Sequence, residues 1–529
     1  MKRPRFRAFP WIAAILLLLV LVAAPAFGFF SLMRGDVLGI GSGFTAFQLN
    51  AIRETGLLIL GVIVLAGSMG LVTAWLVAVY SFPGRRLIEI ALVLPLAFPT
   101  YLAAFVAVDL FDFFGPVQSV WRWIIGAKSL SEYRFFDMRS LPGAMVVIAL
   151  VLFPYVYVSC RLVFAQTGRN VIDAARLLGS RGFALFFRIG IPLARPALFA
   201  GVALVVLETI NDIGATEHLG ISSLSVVIRD LWLNRSDLPA AARMAGLLIL
   251  LVTLVTLLNR PKKGERPGPA RGIGEPRRIR LSGPLGWLAT FFTAMPVLLG
   301  FILPTGFLIW RAIAYADKQA KGEFLSAALA SLSVALTVSL IVMLVGAVLT
   351  IAMRIAPRLQ PSARIAAFGY AIPGTVLVLS IFPVFRAASD GLKSVGLTMA
   401  LSGTFAAMVY ALTARFVGIG TGQASLALRR LPITIDWVAR IHGMRDLRLA
   451  LQVHLPAMRP GLMLGGTLVF IDTIKELPAT LLLRPLNFET LATRAYAEAS
   501  AGTFEHAALD SLAILALSGL AALMLQRKN

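Results

Sequence analysis

Asp173-Ala174-Ala175-Arg176, Gly179, Ile189-Gly190-Ile191-Pro192, Arg195-Pro196 and Gly201 form one stretch of this chain. Ala439-Arg440, Gly443, Val453-His454-Leu455-Pro456, Arg459-Pro460 and Gly465 form another, 264 residues later. Gly179 and Gly443, Pro192 and Pro456, and Gly201 and Gly465 all share that offset. The register runs on without a gap, pairing Glu208-Thr209-Ile210-Asn211-Asp212-Ile213-Gly214-Ala215-Thr216 with Asp472-Thr473-Ile474-Lys475-Glu476-Leu477-Pro478-Ala479-Thr480. A chain that repeats itself in this way is a duplicated unit, and its work needs two equivalent sites.

The unit belongs in a membrane. Of the 529 residues, 58% are hydrophobic and 14% charged, where soluble domains carry roughly 25% charged residues. Apolar runs of about 20 residues recur along the whole length, long enough for helices to cross a bilayer core. They are continuous and do not alternate, which excludes a β-barrel. The fold class is therefore an all-α polytopic membrane protein. Twelve spans are predicted, at 10–30, 55–80, 87–108, 143–163, 197–215, 239–258, 286–310, 326–353, 365–385, 395–414, 461–480 and 507–525. The single cysteine, Cys160, sits in an apolar run and reads as a small buried side chain.

The net charge of +23 is a topology signal. With both termini on the cytoplasmic side, about two-thirds of the Lys and Arg fall in inside segments. The acidic residues there are only Glu89, Asp173, Glu265, Glu275, Asp436 and Asp446. Contact with anionic lipid headgroups accounts for the basic excess, and nucleic acid is not needed. Ala24-Pro25-Ala26 after an apolar run looks like a signal-cleavage site, but the run is longer than a signal core of about 7–15 residues. It reads as a retained first span. Residues 1–259 make the first half, the Pro-, Gly- and charge-rich segment 260–285 a solvated linker, and 286–529 the second half. Six spans separate corresponding points, so the halves are parallel six-helix repeats with a route between them.

Both copies of the repeated segment fall inside, between the fourth and fifth spans of each half. Residues 173–178 have helix-forming composition, and Gly179 can end that helix in a left-handed conformation. Pro192 and Pro196 suit a loop leading into the first turn of the next span. A short helix at the membrane face, turned back by glycine, can transmit movement from whatever docks on it. Beyond it, Glu208 with Asp212 and Asp472 with Glu476 are spaced i, i+4, so each pair should share a helix face; Lys475 can neutralise Asp472. These five residues are candidates for a polar pathway lining, or else they sit at the outer interface where the helices stop, at Gly214 and Pro478. His218, His442, His454 and His506 offer no metal-ligand spacing, and no metal site is expected.

Acidic-Ala-Ala, three residues, Gly, nine residues, Ile, one residue, then Leu or Ile-Pro resembles the EAA loop of permease subunits of ATP-binding-cassette importers. The loops span about 171–201 and 435–465. Asp173, Ala174, Ala175, Gly179, Ile189 and Pro192 match in the first; Ala439, Gly443, Val453, Leu455 and Pro456 match in the second, where Trp437 and Val438 replace the expected acid and alanine. The resemblance implies the type I importer permease fold, in a bacterial inner membrane with both termini cytoplasmic. It implies that Asp173, Ala174, Ala175, Arg176, Gly179 and Pro192, with Ala439, Arg440, Gly443 and Pro456, dock two separate ATPase subunits. The chain itself has no Gly-x-x-x-x-Gly-Lys-Ser/Thr, so it is not expected to be an enzyme or to bind a cofactor; ATP belongs to the partner.

The run Lys475 to Pro485, then Asn487-Phe488-Glu489-Thr490-Leu491-Ala492-Thr493, looks like the fused ferric-iron uptake permeases. That resemblance implies delivery by a periplasmic iron-binding protein, docked on segments 31–54, 109–142, 216–238 and 481–506. Trp121, Trp123, Tyr133 and Trp232 are the exposed-loop aromatics of that face, or its lipid anchors. Thiamine is the second choice of cargo, with polyamine, phosphonate and sulfate permeases as further relatives. An ion-gradient transporter would need no glycine-turned loop in each half, and a membrane enzyme would need clustered catalytic groups, which are not seen.

Overall fold

The computed structural model describes residues 16–17, 20–21, 24–32, 43–166, 174–180, 182–258, 278–315, 321–356, 366, 369–398 and 401–526. Among them, nine helices are long and apolar enough to cross a bilayer: Ala46–Val79, Thr100–Ile125, Leu141–Ala165, Gly182–Asn211, Leu238–Leu258, Pro284–Ala314, Gly322–Ile355, Gly374–Ser394 and Phe405–Leu428. Leu455–Ile474 and Phe504–Gln526 stand where the eleventh and twelfth spans are predicted. Each carries a carboxylate into the protein, Asp472 to an internal cavity and Asp510 fully buried. The first predicted span is seen only in part, ending in the helix Ala24–Leu32. Asp173 and most of the linker, residues 259–277, lie outside the described residues.

Element boundaries move where polar chemistry overrides hydropathy. The span expected at 55–80 begins at Ala46, because Thr45 and Gln48 form a reciprocal capping box. The span expected at 87–108 is broken into Arg85–Ala91, a 3₁₀ turn at Leu94–Ala97 and Thr100–Phe111. Pro95 and Pro99, which lack donor N–H groups, sit at the break. The ninth span is Gly374–Ser394 rather than 365–385, and the tenth is Phe405–Leu428 rather than 395–414, its start set by Thr404 accepting from the Ala407 N–H at 3.1 Å.

The proline-bearing loop expected between Gly179 and the fifth span is not a loop. The chain is helical from Gly182 and reaches Pro192 through a π turn at Phe186–Gly190; an identical π turn, Ala450–His454, precedes Pro456. A third, Leu298–Ile302, precedes Pro304. A proline inside a helix removes one donor and crowds the carbonyl four residues back, and a locally wider turn relieves both.

The two parts of the chain interlock. Ala24–Leu32 packs on Gly374–Ser394, so tightly that a Cβ on Gly28 would lie 1.8 Å from the Ser380 carbonyl oxygen. In return Pro284–Ala314 lies on the first half, where Arg311 pairs with Asp109 at 2.5 Å and Thr290 donates to the Pro83 carbonyl at 2.8 Å. Where the linker ends, Ile279 and Arg280 pair in parallel with Tyr80 and Ser81. The large buried side chains Phe98, Phe105, Phe153 and Tyr157 sit in the apolar core, which also takes in Ile474, Leu477 and Leu491 from the second half.

Candidate functional site

The repeated segments adopt the same geometry at a spacing of 264 residues. In the first, Gly179 has φ +88°, its N–H donates to the Arg176 carbonyl, and the Ser180 N–H reaches back to the Ala175 carbonyl. In the second, Gly443 has φ +77°, its N–H donates to the Arg440 carbonyl, and the Met444 N–H reaches the Ala439 carbonyl. Each is a helix ended by a glycine in the left-handed region, with the 6→1 and 5→2 bonds of a Schellman turn. A Cβ would meet nothing within 4 Å at either glycine, so backbone conformation, not space, demands glycine there.

Below each turn one alanine is buried, Ala175 and Ala439, while the outward face stays apolar and open to solvent: Leu177 and Leu178 in the first copy, Trp437, Val438 and Ile441 in the second. Arg176 is exposed and Arg440 half-buried. Pro192 and Pro456 start the helices that follow. Gly201 then lets its helix approach Leu141–Gln166 until a Cβ would be 2.7 Å from the Val156 Cα; Gly465 does the same less closely against Gly420 and Gln423.

The second copy has a fastening that the sequence reading missed. Asp436, one residue before the position where an acid is expected, is buried under the helix Ile433–Ile441. It pairs with Arg354 through Nε to Oδ2 at 2.9 Å and Nη2 to Oδ1 at 3.1 Å. His454 Nε2 lies 3.2 Å from the same carboxylate. Arg354 also donates to the carbonyls of Leu428, Leu431 and Pro432. Burial alone would raise the Asp436 carboxyl, but the hydrogen bonds from Arg354 and His454 outweigh it and hold the group below the usual carboxylate range. Because its folded-state pKa is lowered, its stabilisation is complete above the usual carboxylate range and is lost only as strong acid protonates it. At the matching offset the first copy has Ile172 and Gly190, so this lock belongs to one half.

The five candidate pathway residues come together. Glu208, Asp212, Asp472, Lys475 and Glu476 all line one cavity between the halves, of about 90 Å3, with Tyr101, Tyr155, Asn211, Tyr370 and Arg415. The shared helix face is not what unites them. The helices end at Asn211 and Ile474, before Asp212 and Glu476. Those two carboxylates instead cap the short helices Gly214–His218 and Pro478–Leu483. Asp212 Oδ1 accepts from the Ala215 N–H at 2.9 Å; Glu476 accepts from the N–H groups of Ala479 and Thr480, each at 3.0 Å. The helices therefore do stop early, yet their charges face the cavity.

Each carboxylate has a different partner. Glu476 is paired with Arg415 at 2.9 Å, and Lys475 bridges to Asp472 at 3.0 Å, as its spacing suggested. Glu208 accepts from Tyr370 Oη at 2.8 Å, and Asn211 Oδ1 accepts from the Gly374 N–H at 2.9 Å, so first-half side chains hold second-half groups across the cavity. Arg415 does not lie in an inside loop, where the expected span 395–414 leaves it; it is buried in the middle of Phe405–Leu428. A lone arginine inside an apolar run was the available signal. A Tyr370→Phe variant is expected to weaken the contact between the halves by about 1.5–3 kcal/mol, since it removes a hydrogen bond to a charged acceptor; thermal unfolding of the purified protein measures it.

Among the described residues, no three His, Cys, Asp or Glu side chains stand close enough to hold a metal ion together. Of the aromatics expected in exposed loops, Trp121 and Trp123 are exposed on the short helix Pro116–Ile125, and the Tyr133 hydroxyl donates to Gln118. Trp232 is not exposed: it lies in a π turn and packs edge-on against Phe382 of the second half. Cys160 is fully buried.

Residues 66–260 match the family described as binding-protein-dependent transport system inner membrane component. The chain is similar to the Fe(3+)-transport system permease protein FbpB 2 of Haemophilus influenzae, 23% identical with 99% of each chain covered. It is also similar to the sulfate transport system permease proteins CysT and CysW of Escherichia coli. CysT is 29% identical over 37% of this chain and 70% of its own, and CysW 30% identical over 36% and 63%.

Proposed function

From the premise that this chain is an importer permease of the binding-protein-dependent, ATP-binding-cassette class, in the fused two-half form and not an enzyme, we propose that it carries ferric iron across the membrane through the cavity between its halves. The observation that carries the cargo assignment is coverage. The relative named for Fe(3+) transport aligns with both halves, whereas the sulfate permeases align with little more than a third of the chain. Chemistry points the same way. Four carboxylates against two cations make the cavity net negative, which suits a hard cation and repels a sulfate dianion.

In this reading residues 1–259 and 286–529 are the two halves and 260–285 joins them. The two glycine-capped helices lie on the cytoplasmic face of a bacterial inner membrane, along with both termini. Their exposed apolar faces seat two separate ATPase subunits, which bind the ATP. A periplasmic binding protein docks on the opposite face and delivers the cargo. The residues that take the ATPase stroke are Asp173, Ala174, Ala175, Arg176, Gly179 and Pro192, with Ala439, Arg440, Gly443 and Pro456. Glu208, Asp212, Asp472, Lys475 and Glu476 line the route.

The test is uptake into vesicles containing the permease and its ATPase subunits, driven by ATP and supplied with loaded binding protein. Radioactive ferric iron is expected to accumulate, and a Glu208→Gln, Asp212→Asn double variant is expected to lose at least about tenfold of the rate. Glu476 is left intact because it holds a helix end and an arginine. Accumulation of radioactive sulfate instead of iron overturns the cargo assignment; uptake driven by an ion gradient without ATP overturns the coupling.

A further inference from the structure

The cavity is lopsided. Both of its cations belong to the second half, and both are engaged by second-half carboxylates, Arg415 by Glu476 and Lys475 by Asp472. At the matching offset the first half has Val151 and Asn211, which carry no charge. Asp212 therefore faces the cavity without a cation of its own. It is 8% exposed, and while Oδ1 accepts from the Ala215 N–H, its Oδ2 makes no hydrogen bond within 3.5 Å among the described residues; the Thr100 hydroxyl on the same cavity wall is the side-chain donor that acts on this carboxylate. Tyr101, 4% exposed and lining the same cavity, has an equally unpartnered Oη. Two buried polar atoms left open to one cavity call for a ligand, since such groups are otherwise satisfied. A net negative cavity within a membrane protein calls for positive charge.

We propose that Asp212, with Tyr101 and Glu208 beside it, forms a transient station for a hard, highly charged cation that keeps part of its water shell, on the first-half wall of the cavity. The donors are two carboxylates and a phenol, oxygen only, which select hard ions. With no third acidic, histidine or cysteine ligand among the described residues close enough to chelate, the station holds its ion loosely, through few direct oxygens and several waters. That suits passage and not storage. The second-half carboxylates are already neutralised and leave the ion to the first half. The inference rests on the cavity being the cargo's route.

Terbium(III), a hard trivalent probe, tests it without transport. Tyr101, Tyr155 and Tyr370 line the cavity and can sensitise its luminescence. The whole protein in lipid nanodiscs is expected to give a saturable signal. Asp212→Asn, which keeps the capping oxygen, is expected to weaken binding about tenfold or more, and Tyr101→Phe to weaken it less. Asp472→Asn made together with Lys475→Gln, which removes the second-half ion pair as a unit and keeps the cavity's net charge, is expected to leave it within about threefold. A signal that Asp212→Asn leaves unchanged overturns the station even if iron uptake is confirmed. A signal lost equally in that double variant overturns the assignment to one half. Sulfate uptake alongside an Asp212-dependent terbium signal would instead sink the ferric reading and leave the cation station standing.

Discussion

An Arg415→Leu variant is expected to lose about 3–5 kcal/mol of stability, because it leaves the Glu476 carboxylate buried with no counter-charge. The pair is 2.9 Å apart and both side chains are almost wholly enclosed. Glu476 keeps the N–H donors of Ala479 and Thr480 and the Thr480 hydroxyl at 2.8 Å, so the loss is electrostatic and not a loss of the helix cap. Adding Glu476→Gln should therefore restore most of it, since a neutral amide can still accept at the helix start. Thermal unfolding of the two single variants and the double variant measures the coupling. Additive losses would mean that the arginine acts by packing alone. Transport should fall with Arg415→Leu in any case, because Arg415 and Glu476 line the cavity and the freed carboxylate would trap cations there.

Removing Arg354 should act at a distance from the cavity. Arg354→Ala deletes five hydrogen bonds, two to the buried Asp436 of the helix Ile433–Ile441 and three to the carbonyls of Leu428, Leu431 and Pro432 in the turn that leads into it. Unpairing that carboxylate costs about 3 kcal/mol locally. Hydrogen exchange over Ile433–Ile441 should then speed up about a hundredfold, while residues 174–180, which do not use this lock, keep their protection. Under the proposed coupling, in which this helix takes the stroke of a partner ATPase, ATP hydrolysis in vesicles with that partner should continue while transport falls about tenfold. Equal acceleration of exchange in both segments would show that the two levers share their support.

Much of this was legible in the chain. The constant offset of 264 residues located both glycine-capped helices, and the structure gives them matching caps, turns and π bulges. The five charged candidates converge on one cavity because the same repeat places them at matching helix ends facing the other half. Three things were hidden. Hydropathy runs through the breaks at Asn211 and Ile474 and leaves the stop at Gly214 and Pro478 only as an alternative, because it does not register a carboxylate accepting from the next turn. Hydropathy ends the tenth span before Arg415 because a buried, paired arginine costs it the same as an exposed one. The Arg354–Asp436–His454 lock joins three separate elements, and no local pattern encodes that.

The reciprocal packing and the one-sided cations together bear on why the two permease units share a polypeptide. A dimer of first units would confront Glu208 and Asp212 with their own copies, without Lys475 or Arg415 to balance them. A dimer of second units would have every acid already balanced and no vacant oxygen for an ion. Only the mixed pair has both an attractive wall and a neutral one. Sharing one polypeptide guarantees that pairing at synthesis, and each unit's opening helix lies packed across its neighbour.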